Sequence, residues 1–172
     1  MAVSTSAWER RLVQDLRERW RTGSPWPEPV GGGQKGLLPR RLQLAVFSEP
    51  FLSRMLDGSK RRESRFSRHR TAPHGRVEAG DLLAIKAASG PIVALATITH
   101  ATECELTPAA LENLREMHAE ALCADDPRFW ERQTGKRYAT ILGIGNVTLL
   151  ESPLPCGKKD RRGWVTIEME RR

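Results

Sequence analysis

Trp8, Leu12, Leu16 and Trp20 recur four residues apart through SAWERRLVQDLRERWR, with charged residues filling the turns between them. That period places all four on one side of a helix over residues 6–21, with Ser6 as its N-cap and Thr22-Gly23 as its stop. The apolar stripe needs a cover, either the body of this chain or a partner onto which the helix docks. The following TGSPWPEPVGGGQKGLLPRR has no period and mixes proline with a triple glycine, so it is predicted to be a linker. Its GGGQKG is not a phosphate-binding loop, because the G-K-[ST] ending and a preceding apolar strand are both missing. Residues 1–40 thus form a helical extension with a linker, and the domain proper is expected over 41–172.

From Leu42 the pattern changes. LQLAVF predicts a short strand, and SEPFLSRMLDG a compact helix with Ser48 or Glu49 near its cap, Pro50 in its first turn and Gly58 after its end. SKRRESRF alternates as a strand does, and a loop with Pro73, Gly75 and Gly80 follows. DLLAIKAA and IVALATITHA, joined through Gly90-Pro91, predict a hairpin of buried strands. Thr107-Pro108 opens a helix to about Leu122, and Asp126-Pro127 a shorter one closed by Gly135. RYATILGIGNVTLL and GWVTIEM predict two last strands around the turn-rich SPLPCGKKDRRG. Helices are missing between most strands, which excludes a parallel βαβ winding. The expected fold is α+β, a small mixed-sheet β-barrel decorated by helices.

Composition narrows the function. Lys and Arg total 28 against 21 Asp and Glu, a formal charge of +7, which favours polyanionic partners such as RNA, DNA or nucleotides. No apolar run approaches the roughly 20 residues of a membrane span, and MAVSTSAWERRL has no apolar leader segment, so a soluble cytoplasmic protein without a membrane partner is expected. Cys104, Cys123 and Cys156 are odd in number and widely spaced, which excludes a disulfide framework and a C-x-x-C knuckle. The four histidines show no zinc-binding spacing, and no metal site is assigned.

The candidate chemistry concentrates in DGSKRRESRF, residues 57–66. Strand alternation puts Arg61, Glu63 and Arg65 on one face and Arg62, Ser64 and Phe66 on the other, with Phe66 able to face a core and Lys60 entering just before. Guanidinium forks suit phosphate oxygens and base edges, while the acid either holds the forks or accepts from a ligand. The same pattern also describes a solvated ion-pair ladder that guards an edge strand. A second cluster, Lys158, Lys159, Arg161 and Arg162, precedes Gly163-Trp164 and reads as a phosphate clamp or a solvated loop, with Trp164 expected to be buried at the start of the last strand. In FWERQTGKRY, aromatic and basic residues alternate in a way that suits a lid over a base, although Phe129 and Trp130 are expected in the core. His69 and His74 lie in the long basic loop SRHRTAPHGR, where either could contact phosphate or serve as an acid or base, but no partner acid stands at fixed spacing for catalysis.

At these residues the sequence resembles the ASCH family of PUA-like β-barrels. The shared pattern is G-x-K-x-x-E-x-R, here Gly58, Lys60, Glu63 and Arg65, set after a strand and short helix and before the Gly80-Asp81 pair that opens the next strand. The resemblance covers residues 41–169 and takes in FWERQTGKRYATI and KKDRRGWV. It implies a PUA-like barrel with a cleft that accepts single-stranded RNA or a nucleotide-like ligand, lined by Lys60, Glu63 and Arg65, with Lys158, Lys159, Arg161 and Arg162 extending a basic track. It also implies a second possibility, a hydrolase acting on RNA or on a modified nucleoside, in which Glu63 is the catalytic base and Lys60 or Arg65 stabilises developing negative charge. Small bacterial members hydrolyse N4-acetylcytidine with a threonine three residues after the motif lysine; that position here is Glu63, which rules out a threonine acyl intermediate there. No cofactor is expected, apart from a divalent metal if the protein is a nuclease, held minimally by Glu63 and Asp81.

Overall fold

A computed structural model of the chain describes residues 6–28 and 38–169. The GGGQKG segment lies outside them. Helix α1 spans Ala7–Arg21 and is closed at its start by a reciprocal pair, the Ser6 hydroxyl accepting from the Glu9 N–H and the Glu9 carboxylate from the Ser6 N–H. Leu12, Val13 and Leu16 are its buried residues, and Trp20 meets Trp26 edge to face at 5.1 Å. The period of four thus turns inward onto the chain's own sheet.

Six strands follow: β1 (Arg41–Phe47), β2 (Arg62–Ser67), β3 (Leu82–Ala87), β4 (Ile92–Glu105), β5 (Tyr138–Leu154) and β6 (Trp164–Glu168). They form one mixed sheet in the order β2-β5-β4-β3-β1-β6, in which only β1 and β3 are parallel. Helix α2 (Phe51–Leu56) follows β1, and α3 (Pro108–Leu122) and α4 (Pro127–Glu131) lie between β4 and β5. The α2 cap differs from expectation: Pro50 is the N-cap and no side chain caps the helix, while Glu49 instead accepts from the Ser53 N–H and hydroxyl. The β4-β5 pair also runs farther than its apolar pattern suggested, because the ends are largely exposed and carry polar residues. Three register shifts along this pair bend the sheet into a half-barrel. A Cβ at Gly143, beside the bend, would fall 2.2 Å from the exposed His100 ring and 2.3 Å from the Thr99 hydroxyl, so those side chains would have to move.

Alternation along the strands sorts the core into three clusters. Leu42, Leu44, Leu82, Ala84, Leu95, Val165 and Ile167 face α1 and enclose Leu12 and Leu16. Ala45, Phe47, Leu83, Ile85, Ala96, Ile98, Leu142 and Trp164 fill the concave side with Met55 of α2. Ala139 and Ile141 of β5 meet α3 and α4 through Leu114, Leu122 and Trp130, with Phe66 packed against them. Phe66 therefore faces a core as its position in β2 predicted, and Glu63 and Arg65 face the other way.

Candidate functional site

Strand β2 is an edge of the sheet, paired only with β5. The Ile144 N–H donates to the Arg61 carbonyl, and the register pairs Glu63 with Leu142 and Arg65 with Thr140. Counting by twos from Arg61, the backbone of residues 63 and 65 is turned into the β5 ladder, and the Ser64 N–H and carbonyl point out along the free edge. A cleft of about 280 Å³ opens there, lined by Val46, Phe47 and Ser48 of the β1 end, by Phe51, and by Lys60, Glu63, Ser64 and Arg65, with Phe129 and Gln133 opposite.

Lys60 and Glu63 are 4% and 6% exposed, which excludes a solvated ladder at this end of the strand. The α2 end fixes Lys60: Gly58 takes a positive φ of 82° and the Lys60 N–H bonds the Arg54 carbonyl. The Lys60 ammonium then reaches the Leu122 carbonyl at the end of α3 (3.0 Å), Glu63 Oε2 (3.2 Å) and the face of Phe51 (5.2 Å to the centroid). A cation at a helix C-terminus satisfies an orphan carbonyl and opposes the negative end of the helix dipole. The other Glu63 oxygen, Oε1, lies 2.9 Å from Arg65 Nε, an ion pair whose angle does not make a hydrogen bond, so that buried Nε–H has no acceptor.

Arg65 closes the half-barrel. Its Nη2 donates to the Val46 carbonyl (3.1 Å) and its Nη1 contacts the Gly163 carbonyl (3.4 Å), tying edge strand β2 to the β1 and β6 side. The guanidinium lies over the Phe47 and Trp164 rings, 5.6 Å and 5.2 Å from their centroids. Trp164 is held in turn by Gln43, whose oxygen accepts from the Trp164 indole N–H and the Thr166 hydroxyl, while its amide donates to Asp81 and the Arg76 carbonyl. Trp164 is thus both buried, as expected, and a wall beneath the site.

On the far side of Arg65 lies a second pocket of about 170 Å³, which also reaches Phe66, Ser67, Thr71, His74, Thr140 and Trp164. His74 Nδ1 meets the buried Thr140 hydroxyl at 3.3 Å, and its ring is tilted on Tyr138 at 5.1 Å. Sequence reasoning left His74 without a partner and missed Thr140, because they lie 66 residues apart and only the folding of the loop after β2 back onto β5 brings them together.

The second basic cluster is only partly available. Lys158 and Arg162 both close on Asp160, at 3.0 Å and 2.9 Å, and these contacts, Arg162 first, hold the Asp160 carboxyl far below the ordinary aspartate range. Lys159 and Arg161 are exposed. Gly163 brings the end of this loop to Arg65, whereas the Arg162–Glu9 contact at 3.7 Å directs the loop toward α1.

The residues do not suit the suggested metal. Asp81 is committed to Gln43, Arg41 and the Glu78 N–H, and burial pushes its carboxyl above the ordinary range. Glu63 has a wholly different set of partners, Lys60 and Arg65. Among the described residues no three His, Cys, Asp or Glu side chains gather as a metal site, and no helix is long and apolar enough to cross a membrane.

The curved mixed sheet and four helices of the described residues have the fold of solved ASCH structures. The crystal structure of ASCH from Zymomonas mobilis superposes with a TM-score of 0.57 at 11% identity, covering 75% of this chain and 89% of that one. A mutant form of the same protein gives 0.57 at 10% identity, over 77% and 92%. At such identities the likeness establishes the fold. No protein-family model and no curated protein matches the sequence.

Proposed function

We propose that this ASCH-type domain binds RNA or a nucleotide by taking a single base into the cleft beside β2. The observation that carries this reading is the combination at the cleft of a buried carboxylate, Glu63, a buried ammonium, Lys60, and the outward backbone pair of Ser64. A base edge carries donors and acceptors side by side, so a floor with both kinds of group, hemmed by aromatic rings, is complementary to it. The volume of about 280 Å³ sits near the lower end of small-ligand sites, roughly 300 to 1,000 Å³, and suits one base rather than a duplex. Single-stranded RNA, whose bases can leave the stack, is the partner this favours, and the chain's net charge of +7 attracts its backbone.

Glu63 acts here as an acceptor that orients Lys60 and the ligand. A hydrolytic role would need one of its oxygens to take a proton from water, and each already faces a cation. The test is fluorescence anisotropy of a labelled single-stranded RNA. Binding should weaken at least tenfold in Phe129→Ala and Lys60→Met, with the fold checked by circular dichroism. Undiminished binding by both folded variants sinks the assignment, and loss of anisotropy with time, arrested in Glu63→Gln, would instead establish the hydrolase.

A further inference from the structure

We propose that the smaller pocket beyond Arg65 is a phosphate subsite, so that the ligand is a nucleotide held by its base on one side of Arg65 and by its phosphate on the other. This rests on the base-binding reading above and extends it to a part of the ligand which that reading leaves open.

The two compartments share Arg65 and Phe66 but differ in chemistry. The larger contains Glu63, which would repel a phosphate and accept from a base. The smaller has no carboxylate among its lining residues; it is lined by Arg65, His74 and Thr71, with Ser67, whose hydroxyl donates to the His69 carbonyl, and the buried Thr140 behind them. Arginine, imidazole and hydroxyl groups in a pocket with no acid in its lining suit an anion.

Its two basic side chains each have an acid beside them on the side away from the pocket's hydroxyls. Arg65 Nε faces Glu63 in the larger cleft, which leaves the far edge of the guanidinium to the smaller pocket, and His74 Nε2 lies 3.9 Å from Glu103, beyond hydrogen-bond reach. His74 is also held for the task. The Thr140 hydroxyl sits at its Nδ1, Tyr138 packs on its ring, and its backbone N–H donates to the Thr71 carbonyl. Thr140 itself is 1% exposed, so it serves as a positioning residue for the imidazole rather than as a broad contact surface. Arg65 cannot swing away, because its terminal nitrogens are engaged with the Val46 and Gly163 carbonyls.

The experiment is calorimetric titration of the full chain with each of the four ribonucleosides, their 5′- and 3′-monophosphates, and a set of dinucleotides. The monophosphate of the preferred base should bind at least tenfold more tightly than its nucleoside, and this advantage should fall with added salt. His74→Ala should remove most of the advantage while leaving nucleoside affinity unchanged, which also shows that the variant is folded. Thr140→Val should remove part of it. Whether the 5′-, the 3′- or only the dinucleotide phosphate gives the gain distinguishes a free nucleotide from an RNA chain as the source.

If nucleosides and monophosphates bind equally, or the advantage survives in His74→Ala, the subsite is overturned and the base-binding cleft stands. If no nucleoside, monophosphate or dinucleotide binds, the base-binding reading fails and takes the subsite with it.

Discussion

Replacing Glu63 with glutamine keeps the shape of the cleft and removes one charge, leaving the Lys60 ammonium, 4% exposed, without its anion. Removing one partner of a buried ion pair costs about 3 to 5 kcal/mol, mostly the penalty of the charge left behind. Lys60 keeps the Leu122 carbonyl and the Phe51 face, which places Glu63→Gln at the low end, about 3 kcal/mol. Lys60→Met should cost about 2 kcal/mol, because Arg65 still faces Glu63 at 2.9 Å. In the double variant no buried charge is orphaned in the pair, and the cost should return to about 2 kcal/mol instead of the additive value of about 5. Urea denaturation of the four proteins closes the cycle. In thermal terms the Glu63→Gln loss is about 6 to 12 °C for a chain of this size. Single costs that add to within about 0.5 kcal/mol would refute the argument, since they would mean the two groups do not share a desolvated site.

Two further outcomes follow from the packing. Leu16 is fully buried against the sheet, so Leu16→Ala should cost about 2 to 5 kcal/mol in urea denaturation, and a loss under about 1 kcal/mol would mean that α1 does not share the sheet's core. His118 is held below the ordinary histidine range by burial first and then by Arg62 and His100. The unfolded chain therefore takes up a proton that the folded chain resists, so stability should decline as pH falls below the unfolded value of about 6.5. Unfolding free energies at neutral and mildly acidic pH should show a smaller decline in His118→Gln, and identical slopes would contradict the assigned environment.

Local period carried most of what the sequence revealed. The spacing of Leu12 and Leu16 marked the buried stripe of α1, and alternation along β2 separated Phe66 from Glu63 and Arg65, because each rule depends only on neighbouring residues. Whether that charged face was a cleft or a solvated edge depended on Leu122, Val46 and Gly163, none of them local, and only the fold brings those carbonyls to Lys60 and Arg65. The pairing of His74 with Thr140 was hidden for the same reason. The loop at 158–162 is a different case: Asp160 stands inside the basic run, and its capture of Lys158 and Arg162 was readable from adjacency. Glu63 with Asp81 was a pairing by residue type, and the buried Gln43 network explains why Asp81 is engaged elsewhere.

The most direct test of the central claim is a two-dimensional amide NMR spectrum of the assigned protein, titrated with a short single-stranded RNA. The account expects the largest shifts at Phe47, Lys60, Ser64 and Gln133, around the free edge of β2. Shifts confined to the Lys159–Arg161 loop or to α1, with Ser64 and Lys60 unmoved, would contradict it and make the basic surface, not the cleft, the place where the polyanion binds.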